Sequence, residues 1–193
     1  MILPDFEIQK AIADGRLVIQ PEPDVAAYDT NSVDLRLDGD FFVWDLQALK
    51  SAFGSTPEID ISSYDYAALS KAYLRPASLN ADQGFSLRPR EFVLGQTLET
   101  VHFPAVGRLA GRVERKSSLA RLGLSVHFAP TVHCTFEGHI VLELYNAGDA
   151  PIKLKKGAFI CQLLVEPLSH PPTGTMEGKQ FQHQTTPHGA KSG

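Results

Sequence analysis

Apolar positions in this chain fall into short runs, each closed by Gly, Pro, Asn or Asp, rather than into long helical stripes. The N-terminus is the exception. Ile8, Ala11 and Ile12 keep the i, i+3, i+4 spacing, which predicts a short helix over 5–14. Asp5 is placed to cap its start, and Gly15 to take the left-handed position past its end. After it, "RLVIQP", "SVDLRL", "DFFVWDL", "FVLGQTLETVHF", "VGRLAGRVE", "GHIVLELYN", "IKLKKG" and "AFICQLLVEPL" are rich in β-branched or aromatic residues and read as strands. One more short helix is predicted in "SSLARLGL", ended by Gly123.

Strands this short and this evenly punctuated predict a mainly β, mostly antiparallel fold of the sandwich, jelly-roll or barrel kind, with "NAGDAP" as a hairpin connection. Residues 45–83 are less regular and are placed as an excursion from the β core. From "SHPPTGT" at 169 the chain turns polar and rich in Pro, Gly, Gln and His, with too few apolar groups to pack alone. The division is a β domain over 1–168 and a C-terminal tail over 169–193. That tail is either flexible or ordered by something it covers, and it has little to pack on within its own chain.

Composition narrows the partners. A chain of 193 residues that is 43% hydrophobic builds one sizeable core. Its formal charge of −4 gives no attracting field for nucleic acid or an anionic membrane, so any basic site is local. Cys134 and Cys161 lie in strand-like segments and are expected as reduced thiols. The first residues lack a basic stretch followed by a long apolar one, and no window reaches the length of a membrane span, so a cytoplasmic protein is expected.

The segment "VERKSSLARLGLSVHFAPTVHCTFEGHIVLELYN" holds the candidate chemistry. Ser117 and Ser118 open the predicted short helix, where free N–H groups, two hydroxyls and the flanking Lys116 and Arg121 suit an anion such as phosphate. The same spacing also suits serines that only cap a helix beside solvated basic residues. In "HIVLELY", Ile140, Leu142 and Leu144 share one strand face, and Val141, Glu143 and Tyr145 the other. Glu143 is then either the solvent side of a half-buried sheet or a carboxylate in a partly apolar pocket, its pKa raised toward working pH. His127, His133, Cys134 and His139 crowd the region, yet no C-x-x-C is present, so no zinc site is expected.

Taken together these segments resemble the dCTP deaminase family of the trimeric dUTPase-like superfamily, over most of the chain. "DFEIQKAIADGRLVIQP" resembles the family's first helix and strand, "NSVDLRL" its early Val-Asp-x-Arg-Leu strand, and "FSLRPREFVLGQTLETVHFP" its central hairpin region. "KSSLARLGL" resembles its Ser-Ser-Leu-x-Arg-Leu-Gly-Leu signature, "FEGHIVLELYN" its Leu-Glu strand, and "GAFICQLLVEPL" its Gln-Leu strand.

The resemblance implies a distorted β-barrel or jelly-roll subunit in a homotrimer, with active sites at subunit interfaces. It implies that Lys116, Ser117, Ser118 and Arg121, with Leu119 and Ala120 in the same turn, grip the triphosphate of dCTP. By the same resemblance Val141, Leu142 and Glu143 are expected to contact the nucleotide, Gln162 matches a family glutamine, and Lys179, Phe181 and Gln184 belong to a lid-like tail segment. The resemblance further implies zinc-free catalysis, in which water held by Ser117, Arg121 and Glu143 attacks C4, Glu143 moves the proton, and Mg2+ enters only with the triphosphate. In "APTVHCTFEG" the chain departs from the family pattern, because His133 stands where an aspartate contacts the sugar and, in dUTPases, activates the hydrolytic water. This favours deamination over diphosphate hydrolysis of dUTP or a modified dCTP, and the retention of Ser117, Arg121 and Glu143 favours an enzyme over a non-catalytic nucleotide-binding module.

Overall fold

In the computed structural model residues 1–77, 84–127 and 131–188 are described. The chain runs through α1 (Asp5–Ala13), β1 (Val18–Gln20), β2 (Tyr28–Asp29), β3 (Ser32–Arg36), β4 (Phe42–Trp44), α2 (Leu46–Phe53), α3 (Tyr66–Tyr73) and β5 (Leu74–Pro76). It continues through β6 (Phe85–Leu87), β7 (Phe92–His102), β8 (Leu109–Arg115), α4 (Ser117–Arg121), β9 (Leu124–His127), β10 (Glu137–Asn146), β11 (Ile152–Leu154) and β12 (Phe159–Pro167). Helix α1 buries Ile8 and Ala11, and Gly15 takes φ +68° after it. Its cap differs from expectation. Pro4 holds the N-cap position with no side-chain bond, and Asp5 is the first helical residue, where its charge meets the positive end of the helix.

One sheet orders β5, β4, β7, β10 and β9, with β1 also paired to β7, and a second orders β2, β3, β12 and β8. All these ladders are antiparallel. Apolar faces meet between them: Leu142 and Leu144 of β10, Val33 and Leu35 of β3, and Leu163 and Val165 of β12 are fully buried in one cluster. This is a jelly-roll-like packing of two sheets, in which the alternation along each strand sets which face is core.

Two local readings are corrected. "NAGDAP" is not a hairpin, because β10 pairs β7 and β9 while β11 crosses to pair β6. Asn146 explains the crossing. Buried at the end of β10, its amide donates to the Leu87 carbonyl at 3.0 Å and the Ala150 carbonyl at 2.9 Å, and its oxygen accepts from Gly148 at 2.9 Å, fastening the turn to β6. For the same reason "FSLRPREFVLGQTLETVHFP" is no hairpin: β6 and β7 belong to different sheets. The excursion also contains two helices that periodicity did not mark. Each starts on an aspartate cap, Asp45 accepting from Ala48 N–H at 2.9 Å and Asp65 from Ala68 N–H at 3.1 Å. α3 leads directly into β5, which returns the excursion to the sheet edge beside β4.

A bulge interrupts the β7–β10 ladder. His139 faces Thr100 and Val141 faces Gln96, so Thr97, Leu98 and Glu99 stand opposite Ile140 alone. The buried Thr97 hydroxyl accepts from Ile140 N–H at 3.0 Å and donates to the Glu99 carbonyl at 2.7 Å. Glu99, 2% exposed, turns to β3 and accepts from Arg36 Nε at 2.6 Å and Arg36 N–H at 2.8 Å. The charge pair fastens one sheet to the other.

The tail corrects a further expectation, because it packs on its own chain. His183 N–H donates to the Glu137 carbonyl at 2.7 Å, and His139 N–H to the Gln184 carbonyl at 3.0 Å. Gln182 Nε2 reaches the Thr135 carbonyl at 2.8 Å. Gly138, at φ +145°, lets this strand-like contact form, since a Cβ there would lie 2.7 Å from the Gln184 nitrogen.

Candidate active site

Glu143 lies near the centre of β10, paired through the backbone with Leu94 of β7 and His127 of β9. The alternation in "HIVLELY" holds, with Ile140, Leu142 and Leu144 buried and Val141, Glu143 and Tyr145 partly exposed on the other face. Glu143 therefore meets a cavity of about 390 Å³. Beside β7 and β10, further elements wall it. β4 and α3 bring Trp44 and Tyr66, the 131–136 segment brings His133 and Phe136, and the tail brings Met176, Phe181 and Gln184. Trp44 and Tyr66 meet edge to face with centroids 6.4 Å apart, as do Tyr66 and Phe181 at 5.8 Å.

Electrostatics follow from this lining. Burial among carbon raises the pKa of the Glu143 carboxyl above its ordinary value, offset in part by a hydrogen bond from the Glu143 main chain. Burial also raises the Tyr66 phenol, and the neighbouring Glu143 charge adds to that shift. A half-buried carboxylate of raised pKa can take a proton from water and return it to a departing group. Among the described residues, no group of three His, Cys, Asp or Glu side chains is placed to hold a metal ion. Cys134 and Cys161 are buried free thiols, and burial pushes that of Cys161 far up, which keeps it un-ionised.

The other candidate residues lie elsewhere. Of the set marked in the sequence, His133, Val141, Glu143, Phe181 and Gln184 line the cavity, and Leu142 turns its side chain into the core. Ser117, Ser118 and Arg121 are exposed on α4, whose N-cap is Lys116, with Leu119 and Ala120 half-buried behind them. They form no part of the cavity wall of their own chain. Lys116 is ion-paired with Asp34 and lies over the Phe159 ring at 5.8 Å. Gln162 donates to the Ser32 hydroxyl at 3.2 Å, on the second sheet. Lys179 is exposed on the tail. A single chain thus brings the carboxylate together with an aromatic cavity and holds the hydroxyl and guanidinium groups of α4 outside it.

Sequence reasoning passed over Trp44, Tyr66 and Met176. The two aspartate caps that start α2 and α3 were the available signal for the excursion helices, and Tyr66 is the residue just after one of them.

A jelly-roll-like β protein with a desolvated carboxylate facing an aromatic cavity is the class that fold and site define. The model of dCTP deaminase-like proteins matches residues 2–168, and the chain belongs to that family. It is 37% identical to a dCTP deaminase of Rhodospirillum rubrum over 172 residues, covering 89% of this chain and 85% of that protein. It is 36% identical to a dUMP-forming dCTP deaminase of Corynebacterium jeikeium, covering 100% of this chain and 97% of that one. A solved 2'-deoxycytidine 5'-triphosphate deaminase from Agrobacterium tumefaciens shares the fold at a TM-score of 0.62 and 19% identity, over 85% of this chain. The chain spans 47% of that solved chain. No helix among the described residues is long and apolar enough to cross a membrane.

Proposed function

We propose that this protein is a zinc-independent hydrolase that converts dCTP and water to dUTP and ammonia. The observation that carries the reading is Glu143, a carboxylate whose pKa burial raises, facing a cavity with room for a pyrimidine ring. Ionised Glu143 takes a proton from water as its oxygen bonds to C4. Glu143 delivers that proton to N3, where it stays in the uracil ring. It then takes the second proton from the C4 hydroxyl and gives it to the amino group, so that C4=O forms as the C4–N bond breaks and ammonia, rather than amide, leaves. Aromatic and aliphatic walls exclude bulk water and strengthen the charge interactions inside.

The triphosphate, entering with its Mg2+ as part of the substrate, is assigned to Ser117, Ser118 and Arg121, with Lys116 sharing its charge between Asp34 and the phosphates. Because these groups lie outside the cavity wall of their own chain, a neighbouring subunit is the source that completes each site, and the assembly proposed is a homotrimer. The described part of the tail, residues 169–188, is its lid, with Phe181 and Gln184 on the inner side; residues 189–193 lie outside the described residues. Gln162 supports Ser32 and through it the second sheet under α4.

Relatives named dUMP-forming make the fate of the triphosphate a separate question. His133, exposed at the cavity, offers an imidazole where the resemblance places the carboxylate that activates water for diphosphate hydrolysis. Incubation with dCTP and with dUTP, assaying ammonia and pyrophosphate separately, tests the reading. Ammonia from dCTP with no pyrophosphate from either nucleotide is expected. Pyrophosphate from dUTP would show that His133 or another group activates water for hydrolysis, and no ammonia from dCTP would contradict the reading as a whole.

A further inference from the structure

Tyr66 is the one aromatic side chain of α3 in the cavity wall among the described residues, and it touches both the β4 side and the tail side of that wall. Its ring stands edge-on to Trp44 at the end of β4 and to Phe181 of the tail. Its hydroxyl donates to the His188 carbonyl at 3.3 Å, and the His188 ring in turn meets Phe42 of β4 with centroids 6.2 Å apart. Gln96 of β7 adds an amide contact to the Thr185 carbonyl at 3.5 Å. The contacts on both sides of residue 184 thus hold the tail segment that closes over Glu143.

We infer that Tyr66 is a positioning residue, which latches the C-terminal tail to the helical excursion of the same subunit and thereby keeps Glu143 dry. For catalysis the inference rests on the deaminase reading, but its physical content does not. A tail bonded to β10 at His183 and Gln184 and held by Tyr66 at Phe181 and His188 forms one wall of the cavity. Without the Tyr66 ring, Phe181 loses its edge contact and water gains a path to the carboxylate. The titratable side chains lining this cavity among the described residues are Tyr66, His133 and Glu143, so a change in Glu143 ionisation can be traced to solvent entry if His133 is followed in parallel.

Both readouts can be made on the full-length protein without substrate. Trypsin cleavage after the exposed Lys179 reports tail release, and 13C-carboxyl NMR titration, assigned with Glu143→Gln, reports the carboxyl. Tyr66→Ala should speed cleavage by about tenfold, the order expected from losing an edge-to-face ring contact and a hydrogen bond, and should move the Glu143 titration down toward the ordinary carboxyl range. Tyr66→Phe keeps the ring and should restore most of the protection and the raised titration, which a general packing defect would not do. Phe181→Ala, on the exposed tail, gives the same two readouts should Tyr66→Ala fail to fold. Wild-type cleavage or an unmoved Glu143 titration in a folded Tyr66→Ala protein, or in Phe181→Ala in its place, would overturn the inference. Release of the tail in a protein that makes no ammonia from dCTP would leave the latch standing and remove the deaminase reading instead.

Discussion

In the proposed reaction Glu143 is the residue at which solvation becomes chemistry. Its carboxyl is raised because burial penalises the ionised form, so a step that needs the carboxylate loses rate on the acid side at a pH above the ordinary glutamate range. The pH profile of kcat checks this. Glu143→Gln keeps the shape and loses the exchangeable proton, and turnover should fall by about 10²-fold or more while dCTP still binds. Stability should move the other way. A carboxyl whose pKa is raised on folding contributes stability below its unfolded pKa and loses that contribution as pH rises through the folded value. Glu143→Gln should therefore melt above the wild type at pH 8, with the two converging in acid, which calorimetry across pH would read. Glu143 was legible in the sequence because strand alternation alone places it on the face opposite Leu142 and Leu144. Trp44 and Tyr66 were not, because their place in the wall depends on how the excursion folds back, and no local pattern records that.

At the scale of elements, the bulge in β7 sets the register by which Leu94 comes to face Glu143. Thr97 holds the bulge closed with its hydroxyl, which satisfies a backbone donor and a backbone acceptor in a fully buried setting. Thr97→Val preserves volume and strands both groups, at a cost of about 1–3 kcal/mol. For a chain of this size that corresponds to a Tm lower by roughly 2–12 °C, with activity falling alongside as the register loosens. The strands themselves were readable from punctuation and β-branched runs, and α1 and α4 from spacing. Their partners were not. "NAGDAP" has the composition of a hairpin loop, but Asn146, buried and bonded to Leu87, fastens the turn to another sheet, and only the tertiary structure shows which carbonyl its amide finds. The packing of the tail on its own chain was missed for a related reason, since its anchors are backbone bonds to β10 and a bond from the Gln182 side-chain amide to the Thr135 carbonyl, which composition does not register.

For the whole molecule the central claim is that each site is divided between subunits, Glu143 and its cavity coming from one chain and the α4 groups from the next. Light scattering at micromolar concentration should give three chains per particle, and a fully active monomer would contradict the claim. The most direct measurement is complementation. Glu143→Gln and Arg121→Ala should each be nearly inactive alone, and the two are then unfolded, mixed in equal amounts and reassembled. If the site is shared, an interface is intact when one subunit supplies the glutamate and its neighbour the arginine, with a chance of about one half times one half, so roughly a quarter of wild-type ammonia release should return. If Glu143 and Arg121 must instead come from the same chain, no mixed assembly contains an intact site. Activity no greater than that of the two parent variants, from mixed trimers shown to have formed, would contradict the account.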